Sequence, residues 1–435
     1  MNEAALSGIV YDWLVASESV PESNAERFVS QFGNFSAQEF HDISTEKELA
    51  EPSSTGSGFV IYYRNEGKRQ AVRQLMDYAL SLEKPCTLRV FTDESTDWLL
   101  ESNAFIREIT SGIRKGTQLG CRVQRIQPPV LNTEGAFRAI EYWMPAYMTG
   151  LIKTYYYPWT RDELHRRTLI VIPGHLAVYS ASLQGQRESQ LTFITFESSI
   201  VAAADEYFNG ILERCRTMMS IYAADNREQL LERLQAVALI KDSGIYKSSR
   251  LSSHTLPASA IAHVRRRATP FTQQLMNTYV QNERYRIDTL RNHTITDIVC
   301  LPRLEDVMNG IESIPGTRTS AADRLFYTPS EYRLHLKHII WYLETFPNYR
   351  AIIMDDPVQE DVVIYTKGDD RALMIKESEP FTLFEITERT FASSLCNYLR
   401  NLTVEKIAPD SRRSTLERLY SELARLESLI PMPMQ

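Results

Sequence analysis

Cysteine is scarce in this sequence, and the five cysteines that occur are widely scattered, with none in a C-x-x-C pair. An odd number of isolated cysteines does not build the paired framework of a disulfide-stabilised secreted domain, and the missing C-x-x-C pairs argue against a zinc site. Three of them, Cys86, Cys121 and Cys300, lie in short apolar runs, where buried and reduced thiols are expected. The sequence therefore predicts no structural metal and no cofactor.

Long apolar runs and an excess of positive charge are also lacking. No stretch approaches the roughly 20 consecutive apolar residues of a membrane-spanning helix, and the N-terminal sequence MNEAALSGIVYDWL is acidic where a secretory signal would be basic. We therefore expect a cytoplasmic location without membrane contact. Lys and Arg total 48 against 55 Asp and Glu, so DNA contact would need a local basic patch, since the whole surface is not basic.

The common catalytic motifs are absent as well. The sequence has no GxxxxGK[ST] loop, no HExxH and no G-x-S-x-G. Its histidines are dispersed, and only His335 and His338 lie close together, three residues apart on a predicted helix. A surface or packing pair explains this spacing better than a metal site does. We predict from these absences that the chain is not an enzyme and that it binds or senses a ligand.

The length of 435 residues indicates more than one domain, and the residue pattern divides the chain into four segments. Residues 1–50 are predicted to form short helices and are followed by the turn-prone linker EPSSTGSG. Residues 59–219 alternate short strands with helices, which predicts an α/β domain around a largely parallel sheet. Residues 220–325 are predicted to be a helical connecting region, and residues 326–435 a smaller α+β module. The fold class is therefore α/β.

Two helices of the last segment have clear local signals. Thr328, Pro329 and Glu331 have the spacing of a capping box at a helix start. The C-terminal sequence SRRSTLERLYSELARLESLI is typical of an amphipathic helix. Its apolar seam predicts either a homodimer through a short coiled coil or docking on the chain's own body; it consists of Leu416, Leu419, Leu423, Leu426 and Ile430.

The segment TYYYPWTRDELHRR, residues 154–167, concentrates aromatic and basic side chains just before a predicted hairpin. Such residues can bind an anionic or planar ligand by stacking and by forked hydrogen bonds, although alternation along a half-buried strand explains the same pattern. The candidate ligand is an unidentified small molecule or peptide. The candidate binding residues are Tyr155, Tyr157, Trp159, Arg166 and, in the adjoining hairpin, His175.

Residues 59–215 resemble the phospholipase-D-like α/β fold in the order of their strands and helices and in their late hairpin. Active members of that family carry His-x-Lys-x4-Asp, in which the histidine is the nucleophile and the lysine binds the phosphate. The His-x-Lys of this sequence is His335-Leu336-Lys337, which lies outside those residues, with Tyr342 where the aspartate belongs. The resemblance therefore implies a non-catalytic relative.

Residues 6–40 resemble the second half of a Cro-repressor-type helix-turn-helix domain. The corresponding parts are Leu6–Leu14, Val20-Pro21, Ala25–Gly33 and Ser36–Phe40. Within residues 1–50, however, two basic side chains face nine acidic ones, which is the wrong balance for binding DNA.

The rest of the chain looks like the effector regions of such regulators in Firmicutes. We therefore hypothesise a non-enzymatic, ligand-sensing transcription regulator. The alternatives are a phosphodiesterase-like enzyme with an unrecognised site and an oligomeric interaction scaffold.

Overall fold

The computed structural model describes residues 25–30, 32–34, 54–56, 58–94, 97–128, 147, 150–158, 164–186, 188, 191–223, 227–355, 361–378, 381–404 and 411–430. Contacts group the chain into two compact units. The first unit comprises residues 37–131 and 139–220, and the second comprises residues 1–36, 132–138 and 221–435. The division into four segments stays a prediction, because grouping by contacts does not measure which segments fold independently.

The first unit contains a sheet in the order β1-β2-β8-β7-β6-β3-β4-β5-β9. Helices α1 and α4 pack against its strands, and α3 packs on α1. In chain order the elements are β1 (Ser54–Gly56), β2 (Phe59–Tyr62), α1 (Arg64–Ser81), β3 (Thr87–Thr92), α2 (Asp97–Leu100), α3 (Asn103–Gln118), β4 (Arg122–Gln127), β5 (Ile152–Tyr156), β6 (His165–Ile172), β7 (Leu176–Leu183), β8 (Leu191–Thr195), α4 (Ser198–Leu212) and β9 (Arg216–Ala223).

The second unit contains strands in the order β15-β14-β13-β10-β11-β12. In chain order its elements are α5 (Arg227–Ala238), β10 (Gly244–Lys247), a 3₁₀ turn (Ser253–Thr255), α6 (Ala258–Val264), a second 3₁₀ turn (Arg265–Arg267), α7 (Pro270–Thr289), β11 (Ile295–Cys300), α8 (Leu304–Met308), α9 (Pro329–Thr345), β12 (Tyr349–Met354), β13 (Val362–Lys367), β14 (Arg371–Lys376), β15 (Thr382–Ile386), α10 (Arg389–Val404) and α11 (Ser411–Leu429).

The two units repeat one strand topology. In the first, β8, β7 and β6 are antiparallel, β6 pairs antiparallel with β3, and β3, β4 and β5 are parallel. In the second, β15, β14 and β13 are antiparallel, β13 pairs antiparallel with β10, and β10, β11 and β12 are parallel. Each strand of the second set therefore lies seven places later in the chain.

The predicted α/β fold class is confirmed by this mixed architecture. The repeat itself is a finding that the sequence analysis missed. It expected helices across residues 220–325, whereas β10 and β11 lie there. Strands of four and six residues between longer helices leave little periodic signal, so their membership of a sheet depends on partners that are distant in sequence.

The predicted capping box at the start of α9 is confirmed. The Thr328 hydroxyl accepts a hydrogen bond from the Glu331 amide at 3.3 Å, and the Glu331 carboxylate accepts one from the Thr328 amide at 2.9 Å. Pro329 occupies the first helical position. The apolar positions at helical spacing on one face of this helix are buried in the core of the second unit, and they are Tyr332, Leu336, Ile339, Ile340 and Leu343.

Helix α11 packs on the body of its own unit, against α9 and β12. Its seam residues Leu419, Leu423 and Leu426 are buried in the same core cluster. The Arg412 guanidinium donates to the main-chain carbonyls of Phe346 at 2.8 Å and Pro347 at 3.1 Å, just after the end of α9. In the part of the chain that the structure describes, no helix is long and apolar enough to cross a membrane. The homodimer and the cytoplasmic location stay predictions.

A fully buried ion pair joins α1 to the sheet of the first unit. The Lys68 ammonium lies 2.5 Å from the Glu94 carboxylate and donates to the Thr168 hydroxyl at 2.9 Å. Burial alone would raise the pKa of Glu94, but Lys68 and hydrogen bonds from Thr168 and Ser182 outweigh that effect and lower it. Because both charges are buried and satisfied, each depends on the other.

We predict that Glu94→Gln destabilises the chain by about 3 to 5 kcal/mol, because it leaves the Lys68 charge buried without its partner. The matched control is Glu417→Gln, which breaks the ion pair between Glu417 and Arg413. The side chains of these two residues are 65% and 81% exposed, respectively. That change should cost less than about 1 kcal/mol. Urea unfolding of the two variants compares them, and equal losses would contradict the structural role given to the buried pair.

Candidate functional site

The predicted ligand-binding residues do not come together around one pocket. Arg166 lies near the start of β6 and His175 in the turn after it, so the strand separates them by about 20 Å. Tyr155 is on β5, which β3 and β4 separate from β6. Tyr157 follows the end of β5. Trp159 lies outside the described residues, and a ligand-binding role for this set stays a prediction.

His165-Arg166-Arg167 at the start of β6 has the spacing of the His-x-Lys pair, with arginine in place of lysine. A motif search that requires lysine at the third position does not detect this sequence. Ile172 stands at the position of the aspartate, and the His165 side chain is exposed. The hairpin of the first unit therefore lacks the complete set of groups that the active motif requires.

His335 and His338 on α9 are the packing pair that the sequence analysis considered. The His335 ring is buried, with Nε2 3.0 Å from the Thr255 hydroxyl and Nδ1 2.6 Å from the Tyr327 hydroxyl. His338 Nδ1 donates to the Thr255 carbonyl at 2.7 Å, and its Nε2 lies 3.0 Å from the Glu283 carboxylate. Both rings therefore fix the 3₁₀ turn Ser253–Thr255 in place.

The middle residue of that turn is His254. Its imidazole packs between the rings of Tyr246 and Tyr365, each with a centroid 4.6 Å away. Burial first, and then the positive charges of Arg286 and Lys367, hold the pKa of His254 well below its usual value. The imidazole is therefore neutral at physiological pH and keeps a free lone pair on one nitrogen.

Two cations lie in the same interior region as His254. Arg286 on α7 is 8% exposed, and Lys367 at the end of β13 is 2% exposed. Burial and repulsion from Arg286 lower the pKa of Lys367 to about 8, against an opposing effect of Asp242. Its Nζ donates to the main-chain carbonyl of Asp242 at 3.2 Å. A depressed lysine pKa means that the surroundings compensate its charge only in part.

Two polar atoms beside these cations have no hydrogen-bond partner among the described residues, namely Arg286 Nη1 and Asn282 Oδ1. A buried polar atom left unpaired costs about 1 to 3 kcal/mol, and such atoms cluster where a ligand or water completes the site. We call the group His254, Asn282, Arg286 and Lys367 the basic cradle. All four line one cavity, together with Tyr279 and Tyr365.

The cavity at the basic cradle measures about 30 Å³, and an adjoining one about 40 Å³. At about 10 to 15 Å³ for each water-sized atom, the cavity at the basic cradle has room for roughly two such atoms and the adjoining one for roughly three, so the five heavy atoms of a phosphate group would need both. They share five lining residues, which are Leu234, His254, Tyr279, Tyr365 and Leu373. Helix α5 closes both through Leu230, Leu234 and Ala238.

No local pattern in the sequence marks this site. Its members come from the 3₁₀ turn, α7 and β13, which are far apart in the chain. The available signal is Lys367 at the end of the apolar run VVIYT, where a lysine in a buried strand needs an explanation. Among the described residues, no cluster of three or more His, Cys, Asp or Glu side chains could hold a metal ion.

No family model and no curated protein sequence matches this chain. Solved structures do match. Nuc from Salmonella typhimurium, a phospholipase D family member, is 12% identical over 38% of this chain and 98% of its own, with a TM-score of 0.26. Polyphosphate kinase from Porphyromonas gingivalis is 12% identical over 85% of this chain and 56% of its own, with a TM-score of 0.27. Yeast tyrosyl-DNA phosphodiesterase is 10% identical over 76% of this chain and 89% of its own, with a TM-score of 0.17.

The expectation that the chain is not an enzyme is contradicted by the three structures named above, which carry the names of enzymes. A further match, TrmBL2, is named as an archaeal chromatin protein. None of the three is a Cro-repressor-type regulator, so they lend that resemblance no support. Most of residues 6–40 lies outside the described part, in which residues 25–30 and 32–34 are helical. Identities of 10 to 12% leave substrate and mechanism to be argued from the residues of this chain.

We predict that His335 makes stability depend on pH. Burial lowers the pKa of His335 to about 3, whereas an unfolded histidine titrates near 6.5. Below about pH 6.5 the unfolded chain therefore binds a proton that the folded chain does not, and stability falls as the pH approaches 3. From pH 8 to pH 5 the free energy of unfolding should drop by about 2 kcal/mol more in the wild type than in His335→Asn. Urea unfolding at both pH values measures this, and an identical drop in the two proteins would refute it.

Proposed function

We propose that this chain hydrolyses a phosphate ester in the basic cradle of the second unit. The observation that carries the proposal is the convergence of two buried cations, Arg286 and Lys367, with the neutral imidazole of His254 on one small cavity. The unpaired atoms Arg286 Nη1 and Asn282 Oδ1 support it, because a bound phosphate and its attacking water would satisfy a donor and an acceptor there.

The electrostatics of the basic cradle favour an anion. Arginine presents a planar fork of donors that matches the oxygens of a phosphate, and lysine adds a point charge. Both side chains are almost fully buried, so their attraction to an anion is screened less than it would be at the surface. An anion would also relieve the mutual repulsion that depresses the pKa of Lys367.

The chemistry then follows from two proton transfers. A bound phosphate raises the pKa of His254 from its depressed value, because its negative charge offsets those of the two cations. His254 can then take the proton of the attacking water, whose oxygen bonds to phosphorus while the ester P–O bond breaks. Lys367, with a pKa of about 8 in the free site, donates a proton to the departing alkoxide.

Substrate entry requires movement of α5, because Leu234 of this helix lines both cavities. The helix has 12 residues. We expect a shift of this short helix to open the basic cradle, since its contacts with the cavities are apolar and non-directional.

The test is the hydrolysis of p-nitrophenyl phosphate and bis-p-nitrophenyl phosphate by the full-length chain. His254→Gln should lower kcat by about 10² to 10⁴ fold, the range of general acid-base catalysis. The matched control is His263→Ala, which removes an exposed histidine of helix α6 in the second unit. It should leave the rate unchanged.

Two outcomes would overturn the proposal. One is turnover that survives His254→Gln but is lost in His175→Ala, which would move the chemistry to the first unit. The other is a wild-type chain that hydrolyses neither ester. Hydrolysis that orthovanadate, a phosphate mimic, does not inhibit would equally overturn it.

A further inference from the structure

An apolar cavity of about 120 Å³ lies within the first unit, between one face of its sheet and helices α1, α2 and α3. It contains no residue of the basic cradle and belongs to the other unit. The helices contribute only apolar and aromatic side chains to its wall, which are Val72, Leu75, Met76, Trp98, Leu99, Ile109 and Ile113.

The sheet side of this cavity changes from apolar to polar along the strands. Alternate residues of a strand share one face, and four strands contribute to the wall. These residues are Leu88, Val90 and Thr92 from β3, Val123 and Arg125 from β4, Ile152 from β5, and Ile170 and Thr168 from β6. Since β6 runs antiparallel to β3, Thr92 and Thr168 pair towards the carboxyl end of the parallel strands, and Arg125, the register partner of Val90, lies two residues before that level. The cavity therefore has an apolar end and a polar end.

Arg125 supplies the available charge at the polar end. The two threonine hydroxyls lie 2.8 Å apart, and Thr168 also accepts from Lys68, whose charge Glu94 neutralises. Arg125 is half-buried and has neither a hydrogen-bond partner nor an ion-pair partner among the described residues. A half-buried guanidinium without a partner among the described residues is available to pair with an anion.

We propose that this cavity binds a small amphipathic carboxylic acid. Its carboxylate forms a bidentate pair with the Arg125 guanidinium, the geometry that arginine commonly adopts with carboxylates. Its apolar tail reaches towards Leu88 and Val123. A cavity of about 150 Å³ lined by aliphatic side chains holds a benzene molecule. The volume of about 120 Å³ therefore fits a tail of about five carbons, as in hexanoate, and the ring of benzoate tests the upper limit of its size.

The test is isothermal titration of the full-length chain with hexanoate and benzoate, and with hexanol and benzyl alcohol as neutral counterparts. The acids should bind at least about 10-fold more tightly than the alcohols, because a charge-assisted pair is stronger than a neutral hydrogen bond. Arg125→Gln should abolish this difference. The matched control is Arg122→Gln, which neutralises an exposed arginine on the same strand and should leave it intact.

Val123→Phe fills the apolar end and should weaken acid and alcohol alike by about 10-fold or more, with circular dichroism verifying its fold. If that variant does not fold, the two arginine variants decide the question alone. Acids that bind no better than alcohols, or acid affinity that Arg125→Gln leaves unchanged, would overturn the proposal. None of these outcomes bears on ester hydrolysis in the second unit, so the two proposals fail separately.

Discussion

The interior of the second unit holds two cations, Arg286 and Lys367, which together with burial lower the pKa of the His254 imidazole and keep it neutral. Charges are buried only where partners or surrounding dipoles offset the loss of hydration. Asp297 provides part of that compensation: burial raises its pKa to about 6, against the attraction of Arg286 and a hydrogen bond from Tyr349. The anchoring of Thr255 by His335 and His338 places His254 against this incompletely balanced charge.

The first unit handles buried charge differently on the same strand topology. The first unit pairs Glu94 with Lys68 from a helix, and the second pairs Arg250 with Glu377 at 3.5 Å. Each unit therefore encloses an ion pair, and the paired side chains come from different elements in the two units.

The residue pattern along the sequence predicted those features that depend on interactions between neighbouring residues. The capping box at Thr328 and the buried face of α9 are fixed by residues within a few turns of one helix, and both were predictable. The repeat of strand order could not be predicted in this way, because the pairing between β10 and β13 joins segments more than 100 residues apart. The basic cradle escaped detection for the same reason. Motif searches test fixed spacings of residues along the chain. The absence of every searched motif therefore excludes those known arrangements of catalytic groups, but it does not exclude catalysis.

The aromatic and basic residues within 154–167 show the limit of local pattern from the other side. They are close in sequence, yet Tyr155 and Arg166 lie on strands that β3 and β4 separate. Proximity along an α/β chain is a poor guide to proximity in space, because successive strands can be inserted at distant places in the sheet. Arg125, by contrast, is not part of any sequence motif. Only the cavity that it lines identifies it as a candidate binding residue.

The central claim is that the basic cradle binds an anion, and the most direct measurement is calorimetric titration of inorganic phosphate into the full-length chain and into Lys367→Met. We expect one site in the wild type and affinity about 10-fold to 100-fold weaker in the variant, the effect of losing one charged hydrogen bond. Phosphate that fails to bind the wild type, or that binds Lys367→Met with undiminished affinity, would contradict the account.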